Sequence, residues 1–197
     1  MPFLKCDQGE YLRVFRGECV HPDLSSPKAF PRALYFGDVE TANNYADAEA
    51  NSGDYYTSRV YPAYLVLNKP FIRQPTDAYL ELGLVANLLG RDEAVRIAKR
   101  FHKYVEETDN WTQLINADGR FADVTAYLNS PIGDVGQLYF QAYRFFDSLM
   151  EVGRLVKRGY DGAIHAGCGQ GSEGRTEYCV FNREQVFFTA SKSFLRK

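Results

Sequence analysis

Apolar and polar positions divide the chain into three zones. Up to about Pro75 the pattern is that of short strands. Tyr11-Leu12-Arg13-Val14-Phe15-Arg16 alternates apolar and polar side chains, the period of a half-buried strand. Prolines at His21-Pro22, Ser26-Pro27 and Phe30-Pro31 then disfavour helix. Ala33-Leu34-Tyr35-Phe36 reads as a second strand, broken by Gly37-Asp38. Asp38 stands where it can cap a helix beginning at Val39, on which Ala42, Tyr45 and Ala46 share a face. Arg59 to Leu67 is a third strand, β-branched and aromatic, ended by Asn68-Lys69-Pro70.

The second zone, 76–158, reads as helical. Tyr79 to Leu89 is apolar enough for a buried helix, stopped by Gly90. Ala94, Val95, Ala98, Phe101 and Val105 repeat at helical spacing. Val135, Leu138, Tyr139, Ala142, Phe145, Phe146, Leu149, Val152 and Val156 form a long stripe on a helix expected to begin near Ser130-Pro131, and the stripe is read as core. The third zone returns to strands at Tyr160–His165, Glu177–Phe181 and Gln185–Thr189, with a Gly-rich loop between the first two. Strands and helices in blocks, without regular alternation, predict an α+β fold.

With 197 residues and 45% apolar content the chain suits a single domain around one core. A net charge of −2 gives no electrostatic footprint for duplex nucleic acid or an anionic membrane, and no apolar run reaches bilayer length. The first residues lack the apolar core of a secretory signal. Cys6, Cys19, Cys168 and Cys179 form no C-x-x-C pair and have no ligand spacing to His21, His102 or His165, so neither a structural zinc nor any other metal is expected. Dispersed thiols suggest a reducing, cytoplasmic setting, with delivery into a host cell left open.

Three short segments carry candidate chemistry. The last is Thr176-Glu177-Tyr178-Cys179-Val180-Phe181, followed by Gln185-Val186. It resembles the catalytic strand of ADP-ribosyltransferases, most closely the poly(ADP-ribose) polymerase branch, where a Glu opens a strand read Glu-Tyr-x-Val-Tyr/Phe. The second, Tyr35-Phe36-Gly37-Asp38 followed by Ala42-Asn43-Asn44-Tyr45, is similar to that branch's Tyr-Phe-Ala-Asp and Ser-Ala-Asn-Tyr, one residue shorter and with Ala42 in place of the Ser. The first, Val14-Phe15-Arg16-Gly17-Glu18, lies where the branch carries His-Gly-Ser, with Arg16 in place of His. The helical zone resembles insertions in the ADP-ribosyltransferase-like domains of phage polyvalent proteins, which share the Gly159-Tyr160-Asp161-Gly162 match; this favours a phage or bacterial origin. The resemblance implies a split β-core with a helical insertion.

The resemblance also implies roles. NAD is the co-substrate, and Glu177, Tyr35 and Arg16 are the catalytic set. Arg16, Gly17, Tyr35, Phe36, Ala42 and Tyr45 form the cofactor-binding set. Breaking a nicotinamide–ribose bond passes through an oxocarbenium-like state, so a carboxylate near the sugar is the expected stabiliser. Tyr45 and Tyr35 would flank the nicotinamide, and Gly17 would let backbone groups approach its carboxamide without an intervening Cβ. Arg16 suits ribose or pyrophosphate oxygens. The expected activity is transfer of one ADP-ribose unit to a macromolecule, a protein before a nucleic acid, with no membrane partner. Free NAD hydrolysis, nucleic-acid modification and a non-catalytic binding module are the competing readings. Gly169-Gln170-Gly171-Ser172-Glu173-Gly174 matches G-x-G-x-x-G literally, but a strand follows it where a dinucleotide fingerprint needs a helix. It reads as a loop ahead of Glu177, with Glu173 as an accessory carboxylate. Arg175, two residues before Glu177, argues against arginine as the acceptor.

Overall fold

A computed structural model describes residues 3–5, 8–20, 33–50, 57–169 and 171–189. The proline-rich stretch 21–31, Cys6 and Gln170 lie outside the described residues. The chain forms two compact units, Met1–Ala78 together with Phe146–Lys197, and Tyr79–Phe145. The second is shorter than the zone of 76–158 read from periodicity. Among the described residues no helix is long and apolar enough to cross a membrane.

The first unit begins with β1 (Val14–Val20), β2 (Leu34–Phe36), helix α1 (Val39–Ala50), β3 (Thr57–Leu65) and β4 (Pro70–Gln74). The second holds β5 (Tyr79–Glu81), α2 (Leu82–Leu89), α3 (Arg91–Arg100), α4 (His102–Glu106), α5 (Val124–Leu128) and β6 (Tyr139–Gln141). Helix α6 (Ala142–Phe146) closes it, and α7 (Leu149–Lys157), β7 (Gly162–Ala166), β8 (Thr176–Val180) and β9 (Val186–Phe188) return to the first unit. One sheet has the order β1-β3-β9 and a second β2-β8-β7-β4, parallel only between β4 and β7. The architecture is α+β, as the blockwise pattern predicted.

Period two in the strands decides which side chains meet. Val14, Leu34, Phe36, Ala63, Leu65, Ile164 and Val180 share one buried core. Alternation turns their neighbours Tyr35, His165, Glu177 and Cys179 to the opposite face of the second sheet, where Tyr35 lies across from Cys179 and His165 across from Glu177. The two sheets meet at one bridge: Phe15 N–H donates to Gly37 C=O at 2.9 Å, and Gly37 N–H to Phe15 C=O at 3.0 Å. Phe15 pairs outward because it stands opposite Pro62 at a non-hydrogen-bonded position of the β1–β3 ladder, where its N–H and C=O point away from β3; the Pro62 carbonyl in turn accepts from Thr189 N–H at 3.0 Å.

Helix α1 starts as predicted, with Asp38 Oδ1 accepting from Thr41 N–H at 2.7 Å. Its Ala42 and Ala46 are buried, and the helix backbone lies so close to β1 that a Cβ on Gly17 would collide with the Ala42 carbonyl. Gly159-Tyr160-Asp161-Gly162 is also explained locally. The Asp161 carboxylate accepts from Asn68 N–H at 2.6 Å and Lys69 N–H at 2.9 Å, tying down the β3–β4 turn. Gln185 Nε2 donates to the carbonyls of Val66 and Asp161 at 2.9 and 2.8 Å, fixing the entry to β9.

Two helix expectations are corrected. Tyr79 to Leu89 is not one helix, because Tyr79–Glu81 pairs with Tyr139–Gln141 before α2 begins; Gly90 does end α2, at φ 96°. The stripe from Val135 to Val156 is divided among a 3-10 turn at Val135–Gln137, β6, α6 and α7. Asp134 Oδ1 accepts from Gly136 N–H at 2.9 Å and tightens the chain there. Val135, Leu138, Ala142, Phe145, Phe146 and Val152 are core as predicted, whereas Leu149 and Val156 are exposed.

Candidate functional site

Glu177 is the second residue of β8, and its side chain is only 3% exposed. The Tyr45 hydroxyl donates to its Oε1 at 3.0 Å, reaching across from α1. Ser172, wholly buried in the loop between β7 and β8, sits with its Oγ 3.4 Å from that hydroxyl and within hydrogen-bonding reach of the carboxylate. Burial raises the Glu177 pKa above the ordinary value; the two hydroxyls pull it down and the Asp147 charge adds to the rise, leaving it raised. The same surroundings act on the phenols. Burial and then the Glu177 charge push Tyr45 up to about 12. Burial, reinforced by charge at Cys179, Asp147 and Glu177, holds Tyr35 well above the ordinary range. Both tyrosines therefore stay protonated donors at neutral pH, beside a carboxylate that is costly to ionise.

Tyr35 reaches the site from β2, its ring edge-on to His165 at 6.0 Å. His165 is buried, stacked on Phe146 at 5.6 Å, and its Nδ1 lies 2.8 Å from the Ala166 carbonyl. Burial lowers its pKa, which keeps the ring neutral. Arg16 lies on β1 with its Nη1 donating to the Tyr35 carbonyl at 3.2 Å and its guanidinium 6.0 Å from the Phe36 ring. Its Nε is paired with Glu18 Oε1 at 2.6 Å. Glu18 thus shares the arginine expected to serve the dinucleotide, a partner the motif alone did not reveal.

Gly17 is at the edge, for a reason different from the one its motif suggested. The space a Cβ would need is filled by the Ala42 carbonyl, so the glycine is required by the approach of α1. Its N–H and C=O lie in the sheet plane. They point from the same edge as those of Phe15, two residues earlier, which bond Gly37. Ala42 is buried against β1, and Phe36 turns into the core on the face opposite Tyr35. Neither of these two side chains reaches the Glu177 carboxylate; they set the positions of α1 and β2.

The Gly-rich loop connects two strands, as its sequence context required. Glu173 is exposed on it, Cys168 is half-buried and Cys179 is buried. Among the described residues no group of three or more His, Cys, Asp or Glu is arranged to hold a metal. Ser172, His165, Asp147 and Glu18 were not foreseen. Ser172 carried a signal, a hydroxyl in a loop directly before the Glu177 strand, as did Glu18, two residues from Arg16 on one strand face. Compared with protein-family models, curated proteins and solved structures, the chain gives no match.

Proposed function

We propose that the chain transfers a single ADP-ribose unit from NAD to a macromolecule, a protein before a nucleic acid, and releases nicotinamide. One observation carries the reading: two of the three segments chosen for their motif resemblance, 132 residues apart at Tyr45 and Glu177, meet in a hydrogen bond on a buried carboxylate, and the first segment joins the second through Arg16. Glu177 bonds Tyr45, Tyr35 bears on both electrostatically, and Arg16 bonds the Tyr35 carbonyl. In this reading the nicotinamide lies against the tyrosine rings and its carboxamide meets the in-plane N–H and C=O of Gly17. Glu177 holds a ribose hydroxyl and stabilises positive charge as the C1′–N bond breaks. Nicotinamide leaves neutral, so preorganised charge matters more than acid catalysis. Arg16, held between Glu18 and Tyr35, orients the nucleotide from the strand edge.

The test is incubation with adenine-labelled NAD and cell lysate, using wild type and Glu177→Gln. Label should become macromolecule-bound with wild type. It should fall by about a hundred- to a thousand-fold in the variant, the effect of losing one preorganised transition-state contact. Equal labelling by both proteins would refute the assignment. Protease and nuclease digestion of the labelled product then names the acceptor class.

A further inference from the structure

Arg175 precedes Glu177 by two residues, and its guanidinium is held at two points. Nη1 lies 2.8 Å from Asp38 Oδ2 and Nη2 2.7 Å from Glu40 Oε2, both at the start of α1. Farther along the helix Asn44 Nδ2 donates to the Gly171 carbonyl at 3.2 Å, and the Tyr45 hydroxyl meets Ser172 Oγ. The loop is therefore seated on α1 at four side chains: Asp38, Glu40, Asn44 and Tyr45. It is closed internally by Gly167 N–H donating to the Arg175 carbonyl at 2.8 Å. Glycine makes the seat possible, because a Cβ on Gly171, at φ 81°, would run into Asn44. The loop turns Ser172, which has no exposed surface, inward to the buried Glu177.

We propose that Arg175 is a positioning residue: it straps the loop to α1, keeps Ser172 and Tyr45 on the Glu177 carboxylate, and shields the reacting sugar carbon from water. This rests on the transfer reading and adds to it what decides the fate of the sugar. In the transfer, the C1′–N bond breaks and its electron pair leaves on neutral nicotinamide. A lone pair on an acceptor oxygen or nitrogen forms the new bond to C1′, and the proton it sheds passes to Glu177 and then to solvent. Water completes the same step wherever it reaches C1′, giving free ADP-ribose. Arg175 touches none of the reacting atoms.

Exposed ion pairs are individually weak and screened by salt, so the strap is adjustable. The experiment compares wild type, Arg175→Ala, Arg175→Lys and Glu40→Gln, the last sparing the Asp38 cap. Two quantities are read: amide hydrogen exchange over 167–176, and the ratio of free to macromolecule-bound ADP-ribose from labelled NAD. In Arg175→Ala the loop amides should exchange about fivefold faster, the effect expected for two exposed pairs. The free-to-bound ratio should rise severalfold, with Arg175→Lys and Glu40→Gln in between. Unchanged exchange overturns the strap. Faster exchange with an unchanged ratio overturns the shielding. If wild type releases no nicotinamide the transfer reading falls and takes the shielding with it, while the exchange arm still judges the strap.

Discussion

Glu177→Gln should make the folded protein more stable at neutral pH while removing its proposed chemistry. Burial is the largest influence on this carboxylate and raises its pKa; hydrogen bonds from Tyr45 and Ser172 offset part of the rise, and Asp147 adds to it. The folded-state pKa therefore lies above the ordinary 4.5. A group of this kind favours folding fully below its unfolded pKa, and that contribution is lost as pH rises through the folded value. At neutral pH the protein thus holds a charge that is better hydrated in the unfolded chain. Glutamine keeps the shape and still accepts from the Tyr45 hydroxyl, but has no charge to desolvate.

With two hydroxyls recovering part of the desolvation, the gain should be on the order of 1 kcal/mol, or about 2–4 °C in Tm for a chain of this length. Urea unfolding of both proteins from about pH 3.5 to 8 measures it. The curves should nearly coincide at the acid end, where the carboxyl is protonated, and separate as pH rises through the folded-state pKa. A variant less stable than wild type at pH 7, or a constant offset across the range, would refute this account of the site.

Three further perturbations test neighbouring parts. Tyr45→Phe removes the donor to Glu177 but keeps the ring; nicotinamide release should fall about tenfold and its acid limb should move to higher pH, because a bond favouring the ionised form is gone. Gly17→Ala drives a Cβ into the Ala42 carbonyl and should destabilise the fold by about 1–3 kcal/mol in denaturant titration, with α1 displaced. Asp161→Ala leaves the Asn68 and Lys69 amides without their acceptor and should lower stability by about 1–3 kcal/mol without changing the product ratio.

Local rules made the first unit legible and the second less so. Asp38 before Val39 signalled its helix because capping is a contact between near neighbours, and alternation at Val14–Arg16 signalled a strand because one face must be buried. Tyr79–Glu81 was misread because its strand partner, Tyr139–Gln141, is about sixty residues away, and three apolar residues fit either period. The stripe from Val135 onward failed similarly: apolar positions at helical spacing also satisfy a turn, a short strand and two helices when most of them are core. At the site, Glu177, Tyr35 and Tyr45 were legible as motif residues. Ser172 and Asp147 were not, because their place depends on where a loop and a connection fold back. The contact of Gly17 with the Ala42 carbonyl was not legible either, since a sequence cannot say which backbone will occupy the space a glycine leaves.

The parting of the two sheets gives the site its form. Strand β2 ends at Phe36, and Gly37 makes the last bond to β1 before the chain turns into α1. Continuing the β2–β8 register sets Gly37 opposite Glu177. One residue therefore makes the bridge between the sheets and stands two residues ahead of the helix that carries Tyr45. The bridge is antiparallel, so beyond Phe15 strand β1 runs back alongside β2, where the Tyr35 carbonyl accepts from the Arg16 side chain at 3.2 Å. Gly37 thus joins the two sheets, and α1, seated on Gly17 through its Ala42 backbone, brings the Tyr45 hydroxyl to the Glu177 carboxylate.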